Sequence, residues 1–244
     1  MRTVMFMLAA ACISFLPANA QDTTNTQEGA QIDPEALPIL EAHVEAMGGQ
    51  EAIDGITAVR KVSLLTIETF GLEVLATRTE DKETGRFLNV TEQGGSSSTT
   101  GFDGERVWMK NPRHDGYLEA GDPMRERLLN RSQELSAFRD GGFDVARLPD
   151  STLSGQPVFV LRTTRVDDPE DVQVHFIAQD THLPVQRYTP STEATLTYEA
   201  FTTVDGVTYP EMTKFKSARQ SSTTQLIEIE HNFELEAGLF DYSA

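Results

Sequence analysis

The stretch from Gly101 to Pro112, Gly-Phe-Asp-Gly-Glu-Arg-Val-Trp-Met-Lys-Asn-Pro, constrains the fold more than any other part of the chain. It holds an Asp-Gly turn signal, the only tryptophan and a closing Asn-Pro, a combination that all but forces a strand pair. The same chemistry returns at Asp205-Gly206, between Leu196–Phe201 and Val207–Tyr209. Apolar and β-branched runs at hairpin spacing fill most of the remaining chain: Val59–Phe70, Leu72–Thr79, Phe87–Thr91, Val158–Thr163, Val172–Phe176, Val185–Tyr188, Met212–Ser217 and Leu226–Phe233. Gly71 marks either a turn between the first two or a bend in one long strand. The Ser/Thr-only run after Gly94-Gly95 reads as an exposed hairpin end. About ten strands at this spacing predict a mainly β chain, a single large antiparallel sheet that curls.

Two segments break the strand pattern. Leu37, Leu40, Val44 and Met47 recur at helical spacing, Pro38 suits a first turn and Gly48-Gly49 ends the run. A short further turn is expected within Gln50–Ile56. Asp122 caps and Pro123 starts a second helix carrying Met124, Leu128, Leu135 and Phe138, stopped at Gly141-Gly142. Such short helices cover one face of a sheet, as a plug or as a lid.

The first twenty residues read as a secretory signal peptide. Arg2 precedes the apolar stretch Val4–Leu16, and Ala18-Asn19-Ala20 forms a small-residue cleavage site. Residues 21–32 are polar and read as a disordered leader, leaving 33–244 as the folded domain. Cys12, the sole cysteine, lies inside the apolar stretch, so cleavage at Ala20 leaves no thiol. A rival reading acylates Cys12 as a lipoprotein anchor, but Leu8 stands one place too far upstream for that site. With Arg2 removed, 19 basic residues face 38 acidic ones, a formal charge of -19. This acidic surface argues against nucleic acid as a partner. No apolar run after Ala20 reaches the roughly 18 residues of a membrane span.

Catalytic signatures are missing. The chain has no Gly-x-Ser-x-Gly elbow, His-Glu-x-x-His helix, phosphate-binding glycine loop or dinucleotide fingerprint. The five histidines, His43, His114, His175, His182 and His231, are scattered, and no two share a metal-ligand spacing. Glu41 and Glu45 beside His43 read as a solvated helix face. The chain is therefore expected not to be an enzyme, with no catalytic residue, metal or cofactor. What it does offer is thirteen phenylalanines, five tyrosines and Trp108 spread along the strands. A curved sheet covered by helices encloses either a filled core or an apolar cavity.

Phe102-Asp103-Gly104, Trp108 and Asn111-Pro112 resemble the Asp-Gly, Trp and Asn-Pro spacing of the periplasmic carriers of the Lol lipoprotein-sorting system, the LolA-like group. His43–Gly49 followed by Ile56–Val62 is similar to the helix-then-strand opening of the wider outer membrane lipoprotein-sorting relatives, and Phe201–Pro210 to their late hairpin. The resemblance implies an unclosed β-barrel with short helices over its open face, holding acyl chains in an apolar cavity under a helical lid. Cavity candidates are Leu88, Val90, Phe102, Trp108, Met124, Leu128, Phe138, Phe159, Phe176 and Tyr188. Arg86, beside Phe87, stands nearest to the family's lid-tying arginine but lacks the proline that follows it there. The implied protein is a periplasmic carrier whose ligands are lipid or lipoprotein acyl chains. The other expectation is an envelope structural or interaction module with a filled core, no ligand and an envelope protein as partner.

Overall fold

A computed structural model gives the structure of the protein and describes residues 30–129 and 135–243. The signal peptide, Cys12 and most of the leader lie outside the described residues. Six strands precede the middle of the chain: β1 (Ala58–Ile67), β2 (Leu72–Asp81), β3 (Phe87–Gln93), β4 (Ser96–Phe102), β5 (Val107–Asn111) and β6 (His114–Tyr117). Seven follow it: β7 (Phe143–Leu153), β8 (Gln156–Arg165), β9 (Val172–Ala178), β10 (Pro184–Thr189), β11 (Ala194–Val204), β12 (Val207–Lys216) and β13 (Ser221–His231). All thirteen form one sheet in the order β6-β5-β4-β3-β2-β1-β13-β12-β11-β10-β9-β8-β7. Every neighbouring pair is antiparallel, and the two meandering halves meet where β1 pairs with β13. β6 and β7 are the two edges, so the sheet is not closed.

The helices are α1 (Leu37–Ala46), α2 (Gln50–Asp54) and α3 (Pro123–Leu129), with a 3-10 helix at Leu135–Asp140. Pro38 stands in the first turn of α1, where its missing N–H costs nothing. Leu40 and Val44 from α1, Met47 just after it, Ile53 from α2, and Leu135 and Phe138 from the 3-10 helix pack on Val59, Phe143, Val145, Leu161, Ile177, Val207 and Tyr209 of the sheet. The periodicity of α1 thus buries one side of it, as an amphipathic helix must. Its end is fixed by contact: a Cβ on Gly48 would come within 2.2 Å of the Gly206 carbonyl oxygen, so only glycine lets α1 rest on that hairpin.

Thirteen strands stand where about ten were expected, and the three weakest signals account for the difference. β4 is the Ser/Thr run itself, because Gly94 and Gly95 (φ +55° and +82°) make the turn alone. Paired on both sides, it holds by backbone bonds rather than by apolar side chains. β6 is four residues long, begun by Asn111, whose side chain accepts from the Arg113 and His114 N–H groups. β7 carries Pro149 at a register shift between Leu148 and Ser151, and it is an edge strand, where proline is tolerated. Gly71 is a turn residue, so β1 and β2 are separate strands. Met124 and Leu128 lie on α3, whereas Leu135 and Phe138 lie on the 3-10 helix; residues 130–134 lie outside the described residues. At the chain's start, Ile32 bridges Val145 in parallel, so the last leader residues run along β7.

The two Asp-Gly turns differ. Asp205 and Gly206 (φ +49° and +84°) form a tight two-residue hairpin, while Asp103 instead accepts the Glu105 and Arg106 N–H groups in a wider turn.

Candidate functional site

Directly paired residues share a face of a sheet and successive residues alternate, so the register sorts every strand residue. Val59, packed against the helices, defines the helix-bearing face. Phe102 and Phe159 fall on that face. Leu88, Val90 and Trp108 fall on the reverse face, as do Phe176 and Tyr188. The ten candidates are therefore split: Phe102, Phe138 and Phe159 stand with the helices, and five others point away from them.

Trp108 has a partner of its own on the reverse face. It lies against Gly101, where a Cβ would come within 2.4 Å of the indole. Its Nε1–H donates to the Phe240 carbonyl at 2.8 Å. The C-terminal segment lies along this face: Tyr242 packs edge-on to Tyr117 and donates to Asp115 at 2.9 Å, and Lys110 donates to the Ser243 carbonyl at 3.1 Å. Phe240 is only 1% exposed, with the Arg86 guanidinium 5.0 Å from its ring. Arg86 also pairs with Asp81 at 2.8 Å and donates to Thr84 at 2.9 Å. It braces the C-terminal segment and its own turn. The arginine that ties a covering helix to its neighbours is Arg139, which donates to Gln50 of α2 at 2.9 Å and faces Glu41 of α1 at 3.7 Å.

The helix-bearing face has two characters. Over β7–β9 and β12 it carries the apolar cluster of Phe143, Val145, Leu161, Ile177, Val207 and Tyr209, with the buried Thr163 and His175 among them. Over β2–β4 it presents Arg78, Glu80, Asn89 and Thr100, and Arg78 and Lys82 both pair with Glu80. Burial pushes the Lys82 ammonium down to about 8, against the pull of Glu80 and Asp140.

A polar pocket opens where α1 and the 3-10 helix meet the apolar part. His43, Met47, Leu135, Ser136, His175, Pro184, Tyr198 and Pro210 line it, and its water-accessible volume of about 20 Å³ suits one or two waters. His43 and His175 are both buried. The Nδ1–H of His43 donates to the His182 carbonyl at 2.8 Å. A carbonyl only accepts, so in the neutral ring Nδ1 carries the proton and Nε2 keeps its lone pair. His175 Nε2 lies 3.1 Å from the buried Thr163 hydroxyl, and Arg187 is its cross-strand partner. Burial holds His43 below the usual histidine range; burial, with Arg187 and His43 adding repulsion, holds His175 well below it. Both rings are neutral at pH 7. No spacing in the sequence reveals this meeting, because His43 and His182 are 139 residues apart. Among the described residues, no group of three or more His, Cys, Asp or Glu side chains is placed to hold a metal ion.

An open sheet covered on one face by helices is an architecture shared with solved structures. A DUF1329 family protein from Desulfovibrio piger matches with a TM-score of 0.60 and 11% identity, over 85% of this chain and 97% of that one. A domain assigned to outer membrane lipoprotein sorting from Vibrio parahaemolyticus matches with a TM-score of 0.59 and 15% identity, over 84% and 97%. A LolA superfamily protein from Nitrosomonas europaea matches with a TM-score of 0.53 and 14% identity, over 84% and 96%. No protein-family model matches the chain, and no curated protein matches it at a significant level. The fold is LolA-like, and at these identities the likeness is one of fold. Among the described residues no helix is long and apolar enough to cross a membrane.

Proposed function

We propose that the chain is an exported carrier, delivered to the periplasm by removal of residues 1–20, that holds acyl chains of lipid or lipoprotein beneath its covering helices. The observation that carries this reading is the make-up of the apolar core. Leu135 and Phe138, on the short 3-10 helix, fill the space between α1 and β7–β9. The exposed Arg139 ties them to α1 and α2, and exposed ion pairs hold weakly. An acyl chain that displaces these two side chains inherits an apolar bed formed by Val145, Leu161 and Ile177. Burial of the chain at about 0.8 kcal/mol per methylene supplies affinity without chemistry, and return of the helix supplies release. Phe159, Phe102, Met124 and Leu128 are the further wall candidates under this reading.

The test is uptake of a fluorescent fatty acyl probe by delipidated full-length protein, together with native mass spectrometry of protein purified without delipidation. Saturable uptake and a lipid-sized mass adduct are expected. A second reading also has an observation behind it: the same core is already filled by Leu135 and Phe138, as in an envelope structural or interaction module. It predicts no uptake, no adduct and an envelope protein recovered by cross-linking, and that combination would overturn the carrier reading.

A further inference from the structure

We infer that the ligand is an acyl ester rather than a free acid, and that the hydroxyl of Ser222, on the helix-bearing face of β13, holds its carbonyl. The inference rests on the carrier reading and names the class of its ligand and the residue that selects it.

Ser222 begins β13 at the end of the β12–β13 pair opposite the Gly206 turn on which α1 rests. Cross-strand pairing runs from Leu161 on β8 through His175, Arg187, Leu196 and Phe215 to Ser222. These residues form one row on one face. The row begins in the apolar bed of the carrier reading and crosses five strand spacings of about 4.8 Å, or about 24 Å along the sheet, the scale of a long extended acyl chain. Beyond Ser222 it reaches Ile67, which with Leu65 and Val74 makes a second apolar cluster. Among the described residues, α1, α2 and the 3-10 helix contribute nothing to that cluster.

The Ser222 hydroxyl is what points to a ligand. The residue is 2% exposed, and its Oγ is buried without a hydrogen-bond partner. Its neighbours Ser221 and Thr223 point to the other face, where both donate to Glu68. Leaving a buried hydroxyl unpaired costs stability, and a bound acceptor removes that cost. Among the described residues one other buried side-chain polar atom stands unpaired, Gln173 Oε1, on a half-buried side chain four strands away.

The surroundings select the acceptor. Phe215 and Ile67 flank Ser222, Thr224 follows it on the same face, and all are uncharged. Arg187, the charged residue of the row, is three strands away and engaged in contacts of its own. A carboxylate brought to Ser222 loses its water and gains no counter-charge. An ester carbonyl carries no charge and accepts the one proton a serine has to give. Phe215, half-buried beside the hydroxyl, is the side chain that turns aside to admit it.

Full-length delipidated protein is titrated with methyl hexadecanoate, octadecane and hexadecanoate delivered from cyclodextrin, and the carbonyl stretch of the bound ester, labelled with carbon-13, is read by infrared difference spectroscopy. The ester is expected to bind more tightly than hexadecanoate, with its carbonyl band at the lower frequency of a hydrogen-bonded ester. Ser222→Ala should weaken the ester about twofold to tenfold, the worth of one neutral hydrogen bond, return the band to its position in alkane and leave octadecane unchanged. The same substitution should raise the melting temperature of the ligand-free protein, because it removes an unpaired hydroxyl. Ser222→Cys, a weaker donor of similar size, should move the band part of the way and keeps the test if the alanine variant does not fold. An alkane-like carbonyl band in the unaltered protein, an ester affinity indifferent to Ser222, or hexadecanoate bound as tightly as the ester overturns the ester site and leaves the carrier reading intact. Failure of all three ligands to bind overturns the two together.

Discussion

Gly101 and Trp108 are cross-strand partners, and the glycine is what lets the indole lie flat on the sheet. Gly101→Ala places a methyl inside the ring's volume, so the indole must shift and its bond to Phe240 must stretch. The expected cost is about 1–3 kcal/mol, as for other overpacked sites, with a red shift of the tryptophan emission; unchanged emission and melting temperature would show that the close approach is not required. The buried histidines give a second residue-scale expectation. Their folded-state values lie below those of the unfolded chain, so between those values and about pH 6.5 the unfolded chain binds protons that the folded one refuses. Stability is then complete above that pH and falls as pH drops, by up to about 1.4 kcal/mol per pH unit for each ring. Urea midpoints at pH 7.5, 6.0 and 5.0 measure the slope, and His43→Gln with His175→Gln should flatten it. Asp81 acts in a lower window. Burial pushes its carboxyl up, but bonds from Thr84 and Arg86 outweigh this and hold it below its ordinary value, so its loss is felt only below about pH 4.

At the scale of elements, the C-terminal segment is the piece whose importance its sequence hides. The described residues after Asn232 form no strand or helix, yet Phe240 is among the most buried of the described side chains. Phe240→Ala should cost about 3–5 kcal/mol, the range for a buried phenylalanine. Truncation after Asn232 should expose Trp108 to iodide quenching while sparing the β1–β13 pairing; a truncated chain with native quenching would show that the segment is not what covers the indole. The same contrast explains what could be read in advance. α1 and the Asp-Gly hairpins were legible because periodicity and turn chemistry are local. β4 and β7 were not, because pairing on both sides or an edge position lets Ser, Thr and Pro stand in strands. Trp108 was legible as a strand residue, but its face depends on a register that runs through β4, β3 and β2 back to β1. The meeting of His43 with His175 and His182 is wholly tertiary, and no spacing could announce it.

At the scale of the whole molecule, the seam between β1 and β13 joins residues from opposite ends of the chain, with Val59 opposite His231. Each half is a run of local hairpins, but neither half becomes part of one sheet until the last strand is available. The closure entropy of that seam is therefore met late and in one step, and refolding should fall in the millisecond-to-second range of nonlocal β proteins. Stopped-flow refolding should show Val59→Ala slowing folding little and speeding unfolding, as for a contact made after the transition state; a large drop in folding rate would place the seam in the nucleus instead. Synthesis from the N-terminus cannot complete the sheet before β13 emerges, so the finished fold waits until nearly all of the polypeptide has been made.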